Sequence, residues 1–90
     1  MLYAVRSTKF KRDYKLAKKR GKILSKLTNI MEKLAREEML NSKYKDHKLT
    51  GDYIGWRECH IEPDWLLIYR ITKNEISFIR TGTHSDLFKE

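Results

Sequence analysis

Several residue types are scarce in this chain, and each shortage closes off a class of function. Cys59 is the one cysteine in 90 residues. No intrachain disulfide can form, and no Cys-x-x-Cys pair exists to hold a structural zinc. Four glycines and one proline leave no glycine-rich phosphate loop and no Gly-x-Ser-x-Gly nucleophile turn. No apolar run approaches the roughly 20 residues of a membrane span, so a membrane partner is not expected. Acidic residues are also few, with 12 Asp and Glu against 20 Lys and Arg and a net charge of +8. A lone cysteine without a signal-like N-terminus points to the reducing cytoplasm.

What is present is a small basic domain. Ninety residues make a single domain, 1–90. A chain this short buries only about 60% of its unfolded surface, so a protein partner that stabilises it by binding is expected. The charge balance favours polyanions as partners, either nucleic acid or an acidic protein. A hydrophobic content of 40% argues against disorder.

Leu2 to Val5 is too short for a helix and reads as a strand within Met1–Arg6. Ser7 or Thr8 can cap the helix that follows, on which Phe10, Tyr14 and Ala17 share a face. Gly21 closes that helix. Ile23, Leu27, Ile30 and Leu34 then repeat at helical spacing, widened by Leu24, Met31 and Ala35, which predicts a second, core-facing helix and an αα-hairpin. Lys43 to Tyr53 reads as a polar loop. Strands are predicted over about Trp56–Ile61, Trp65–Ile71 and Glu75–Thr81, with a short helical turn or tail from Ser85 to Glu90. The fold class is α+β: an N-terminal strand, a helical hairpin and a three-stranded antiparallel meander completing one small sheet.

All three histidines lie in the second half. If both hairpin loops are even, His60 faces Leu67 and Leu67 faces Arg80. One face then carries Trp56, Glu58, His60, Trp65, Leu67, Tyr69, Phe78 and Arg80. The other carries Cys59, Ile61, Leu66, Ile68 and Ile79 and suits packing under the helices. A one-residue slip would exchange the faces. Pro63 disfavours a two-residue primed turn, and a four-residue loop keeps the parity.

Histidine near its free pKa of about 6.5 serves as acid or base near neutrality. His60 and Cys59 point to opposite faces, and no metal-ligand spacing exists, so no metal and no cofactor is expected. Each candidate also has a plainer reading. His47 can be a loop cap, His84 a turn residue, and Arg80 a partner of Glu58 or Asp64. Trp65 and Phe88 can be core residues or base-stacking rings. Lys15, Lys18 and Lys19 lie on a basic helix that either tracks a phosphate backbone or is merely solvated. Arg80 in its functional role would place a guanidinium fork on a phosphate. A base, an acid and a cation suffice for RNA cleavage in which the 2′-hydroxyl is the nucleophile.

Tyr44-Lys45-Asp46-His47, Leu49, Gly51, His60-Ile61-Glu62-Pro63-Asp64-Trp65, Leu67-Ile68-Tyr69, Arg80-Thr81-Gly82-Thr83-His84 and Leu87-Phe88 together resemble the YafQ branch of the RelE/ParE toxin superfamily. These are ribosome-dependent mRNA interferases of bacterial toxin–antitoxin systems. The resemblance implies the RelE-like fold and metal-independent cleavage of mRNA in the ribosomal A site. It implies His47, His60, Asp64, Arg80 and His84 as catalytic residues, with Phe88 in the functional set and Trp65 beside it. It further implies an antitoxin partner, acidic where it binds, with operator DNA reached only through that antitoxin. Cys59 departs from the small residue expected there and adds an oxidisable thiol. Two other readings compete: a ParE-like gyrase poison, which needs no acid–base pair, and a non-catalytic RNA- or ribosome-binding module.

Overall fold

In the computed structural model, residues 1–88 are described, and they form one five-stranded sheet with three helices. The elements are β1 (Tyr3–Arg6), α1 (Thr8–Lys19), α2 (Leu24–Ala35), β2 (His47–Lys48), β3 (Arg57–Glu62), β4 (Trp65–Ile71), β5 (Glu75–Gly82) and α3 (His84–Phe88). The last two residues of the expected C-terminal turn, 89 and 90, lie outside the described residues. Strand order is β1-β5-β4-β3-β2, with β1 parallel to β5 and the other pairs antiparallel.

The helical hairpin follows its sequence signals. Ser7 caps α1 by accepting the Phe10 N–H at 2.9 Å. Its hydroxyl donates in turn to the Ile79 carbonyl at 2.6 Å, so the cap also ties the helix to β5. Gly21 follows the helix at φ +79°, where a side chain would be strained. Phe10 and Ala17 from α1 join Leu27, Ile30, Met31 and Leu34 from α2 in the core. Ile23 does not join them: it stands at the N-cap of α2 and is 59% exposed. The stripe thus begins at Leu24.

The segment expected as a plain loop contributes β2, an edge strand on which His47 pairs with Glu58. Asp46, just before it, accepts the Tyr69 phenol and lies 3.4 Å from the Arg57 guanidinium. Burial, and then Asp46, push the Tyr69 phenol well above its ordinary pKa. A two-residue strand is thereby anchored to β3 and β4 by side chains.

The expected register is corrected. Glu62 pairs with Trp65, so only Pro63 and Asp64 connect β3 to β4. This turn is not a primed one, because positive φ among the described non-glycine residues occurs only at Glu37 and Lys45. A bulge at Ile61 absorbs the mismatch, and a second interrupts β5 at Ile79. The first bulge slips β4 by one residue against the expected pairing. Cys59 therefore faces Leu67, and His60 faces Leu66. Trp65, Leu67, Tyr69 and Phe78 join Cys59 and Ile61 in the helix-facing core. Leu66 and Ile68, expected there, lie instead on the face that carries Glu58, His60 and Arg80. Both remain buried.

Candidate active site

Three histidines from three elements stand in a row. His47 on β2 and His60 on β3 have ring centres 6.4 Å apart, and His60 and His84 at the start of α3 have theirs 5.8 Å apart. Glu58 lies two residues before His60 on the same face of β3. Its carboxylate oxygen is 3.6 Å from His47 Nε2 and 3.4 Å from His60 Nε2. At 6% exposure Glu58 is a buried acid, and such a group needs cationic or hydrogen-bonding company. The two imidazoles supply it when protonated. The sequence suggests Glu58 only as a possible partner of Arg80; the Glu-x-His alternation on one strand is the signal that sets it beside His60.

Tautomers follow from the partners. His47 Nδ1 lies 2.6 Å from the Lys45 carbonyl. A carbonyl only accepts, so Nδ1 carries the proton and Nε2 faces the Glu58 side. His84 Nδ1 lies 2.6 Å from Asp64 Oδ1, and the same oxygen accepts the His84 backbone N–H at 2.9 Å. These two bonds, the backbone one foremost, hold the Asp64 carboxyl below its usual range. Asp64 belongs to the β3–β4 turn, so the tight turn reaches α3 directly.

Helix α3 is held from a second side. Asp86 accepts a bidentate pair from Arg20 at 2.6 and 3.2 Å and the Thr83 N–H at 3.0 Å. Arg20, with the Thr83 amide behind it, lowers the Asp86 carboxyl to about 2. Gly82 leaves room for this pin: a Cβ there would stand 2.9 Å from Asp86 Oδ2.

Arg80 shares the histidine face, in the row Glu58–Ile68–Arg80. Two strand spacings put its backbone roughly 10 Å from that of Glu58. Its partner is neither Glu58 nor Asp64 but Asp13 of α1. Arg80 Nε and Nη2 donate to the two Asp13 oxygens at 2.7 and 3.0 Å. This pairing raises the guanidinium pKa further.

Trp65 is not a stacking surface. It is 1% exposed, and its indole N–H donates to Thr81 Oγ1 at 3.0 Å. The odd register turns it under the helices, where Lys22 lies over its ring. Phe88 remains half-buried, edge-on to Tyr53, whose ring also meets Trp56 at 5.8 Å. The thiol of Cys59 is fully buried and pushed up in pKa by that burial, so it is not a ready site of oxidation.

Lys15, Lys18 and Lys19 are exposed on α1. A different set of cations surrounds the site. A groove of about 950 Å³ runs between α2 and the β3–β4 hairpin. It is lined by Lys22, Lys26, Lys33, Arg36, Lys43 and Lys45, and it opens on His60, Asp64 and Thr83. Lys22 and Lys26 are partly neutralised by Glu62, at 3.5 and 2.9 Å. Among the described residues no helix is long and apolar enough to cross a membrane.

Comparison with known proteins agrees with this architecture. Residues 2–89 match the family described as the bacterial toxin of type II toxin–antitoxin system, YafQ. The mRNA interferase toxin YafQ of Escherichia coli strain K12 is 46% identical over 83 residues, covering 91% of this chain and 90% of that protein. The E. coli DinJ–YafQ complex contains a chain that superposes with a TM-score of 0.91 at 43% identity, covering 98% of this chain and 99% of that one. A metal-bound toxin from Helicobacter pylori superposes with a TM-score of 0.92 at 43% identity, covering 98% and 100%. With fold and sequence in agreement along nearly its whole length, the chain belongs to the YafQ family of type II toxin–antitoxin toxins.

Proposed function

We propose that this protein is a ribosome-dependent endoribonuclease that cuts mRNA in the A site by metal-independent transesterification and is silenced by a cognate antitoxin. The observation that carries the reading is the pairing of histidines with carboxylates at the mouth of a basic groove: His47 and His60 on Glu58, His84 on Asp64. The mRNA interferase activity named for the E. coli relative and the assembly of a relative with DinJ support it.

In this mechanism the 2′-oxygen attacks the adjacent phosphorus while one histidine takes its proton. A second, protonated histidine gives a proton to the departing 5′-oxygen as the P–O bond breaks, leaving a 2′,3′-cyclic phosphate. Asp64 fixes the His84 tautomer and stabilises the imidazolium if His84 is the base. Arg80 meets the charge that grows on the phosphoryl oxygens. Phe88, with Tyr53 and Trp56, offers rings for an unstacked base. The groove cations guide the RNA backbone, and an acidic antitoxin segment would compete for the same charge.

The test uses ribosomes programmed with an mRNA carrying a 2′-deoxy nucleotide before the cut. Cleavage should be abolished. With unmodified mRNA it should persist in EDTA with polyamine keeping the ribosome intact, a control made pointed by the metal-bound H. pylori relative. Undiminished cleavage of the 2′-deoxy strand would make water the nucleophile and refute the mechanism. Loss of cleavage in EDTA with ribosomes intact would refute metal independence.

A further inference from the structure

Asp13 is the only carboxylate among the first 31 residues and sits within the basic run of α1. Its side chain is only 11% exposed and takes three hydrogen bonds. Two come from Arg80 Nε and Nη2, and the third from the Thr81 backbone N–H at 3.1 Å. The last bond has a topological cause. β1 pairs with β5 only as far as Phe78. Beyond that point the Thr81 amide is an edge donor, and the helix supplies a carboxylate where a strand would have supplied a carbonyl.

We propose that Asp13 is a positioning residue for Arg80. Held by the β5 backbone, it grips the guanidinium along its Nε–Nη2 edge and fixes the plane and direction of the fork. Two of the five N–H groups of Arg80 are used in this way. The Nη1 end makes no hydrogen bond among the described residues and is the end that a phosphoryl oxygen can take. The negative charge of Asp13 partly offsets the attraction of Arg80 for phosphate. The gain is that a long, rotamer-rich side chain is ordered before substrate arrives. Asp13 itself touches no substrate in this scheme.

The inference rests on the role assigned above to Arg80, and a double-mutant cycle separates the two. Single-turnover cleavage is measured at saturating ribosome concentration for wild type, R80A, D13N, D13A and the two Asp13 variants in the R80A background. Melting temperature is recorded for each to confirm folding. Asparagine keeps the shape of Asp13 and can still accept the Thr81 N–H, so D13N preserves the docking of α1 if D13A does not. R80A should lose about 10²–10³ in rate, as for one preorganised donor. D13N should lose roughly 10–10²-fold through misplacement of the fork, with ribosome affinity little changed. In the R80A background D13N should lose nothing more. Equal losses in both backgrounds would mean that Asp13 is merely structural. Unchanged or faster cleavage by D13N would mean that it does not position Arg80 or that it restrains it. Either result overturns the proposal while leaving the role of Arg80 intact. Normal cleavage by R80A would overturn that role and the proposal with it.

Discussion

The chemistry proposed for this protein comes down to which nitrogen of each histidine is committed. His84 Nδ1 is tied to Asp64 and His47 Nδ1 to the Lys45 carbonyl, so in both rings Nε2 is the basic nitrogen. His60 presents Nε2 to Glu58. Replacing His60 or His84 by alanine should each slow single-turnover cleavage by about 10²–10⁴, the usual worth of a positioned acid or base. Substrate-saturated rates, read against ribosome affinity, check this. A loss confined to affinity would make the histidine a binding residue. Trp65 gives a contrast. Removing an indole that is 1% exposed should cost about 3–5 kcal/mol of stability, so lost activity in W65A is to be read beside its melting temperature.

At the scale of elements, the five residues of α3 are too few to hold themselves, and His84 depends on how that turn is pinned. One pin is Asp64, and the other is the Arg20–Asp86 pair. The Asp86 carboxyl is lowered to about 2 by Arg20 and Thr83, against an unfolded value of about 3.9. Because the folded pKa is the lower one, this stabilisation is fully present above about pH 4 and is lost as pH falls toward 2. Asp86→Asn should lower the melting temperature at neutral pH, and its difference from wild type should shrink as pH drops through that window. A constant gap down to pH 2 would mean that the pair contributes nothing by charge. Exposure of Arg20, 42% in its side chain, leaves the pair largely screened by solvent and keeps the effect small. Gly82→Ala tests the same pin sterically. Its Cβ would stand 2.9 Å from Asp86 Oδ2, and displacing that carboxylate should slow cleavage by shifting His84.

Over the whole molecule the +8 charge is not spread evenly about the site. Six cations line the groove that opens on His60 and Asp64, and they come from α2, its flanks and the Ser42–Tyr44 turn region rather than from the exposed lysines of α1. Neutralising phosphates releases counterions, so each lost contact flattens the salt dependence of binding by about one unit of slope. Replacing Lys26, Lys33 and Lys43 by alanine should therefore weaken ribosome binding and reduce that slope more than replacing Lys15, Lys18 and Lys19. Equal slopes for the two triple variants would mean that the groove is no more an RNA track than the α1 surface.

The sequence by itself determined the local pieces. The Ser7 cap, the Gly21 stop and the α2 stripe are encoded within a few residues of where they act, and so are the strands of the meander. The histidines, Asp64 and Arg80 were legible as candidates, because side chains able to move a proton or bind a phosphate are concentrated in the second half of the chain. Tertiary structure alone decided what faces what. A bulge at Ile61 is one residue of slack, and one residue reverses every side chain on the next strand. Trp65 thus became core, and Leu66 joined the histidine side. The partner of Arg80 lies 67 positions away in sequence, on a helix whose approach is set by where β1 ends. The basic groove likewise joins residues from Lys22 to Thr83. Pairings at that range depend on how layers dock, a property of the packed core that no local pattern encodes.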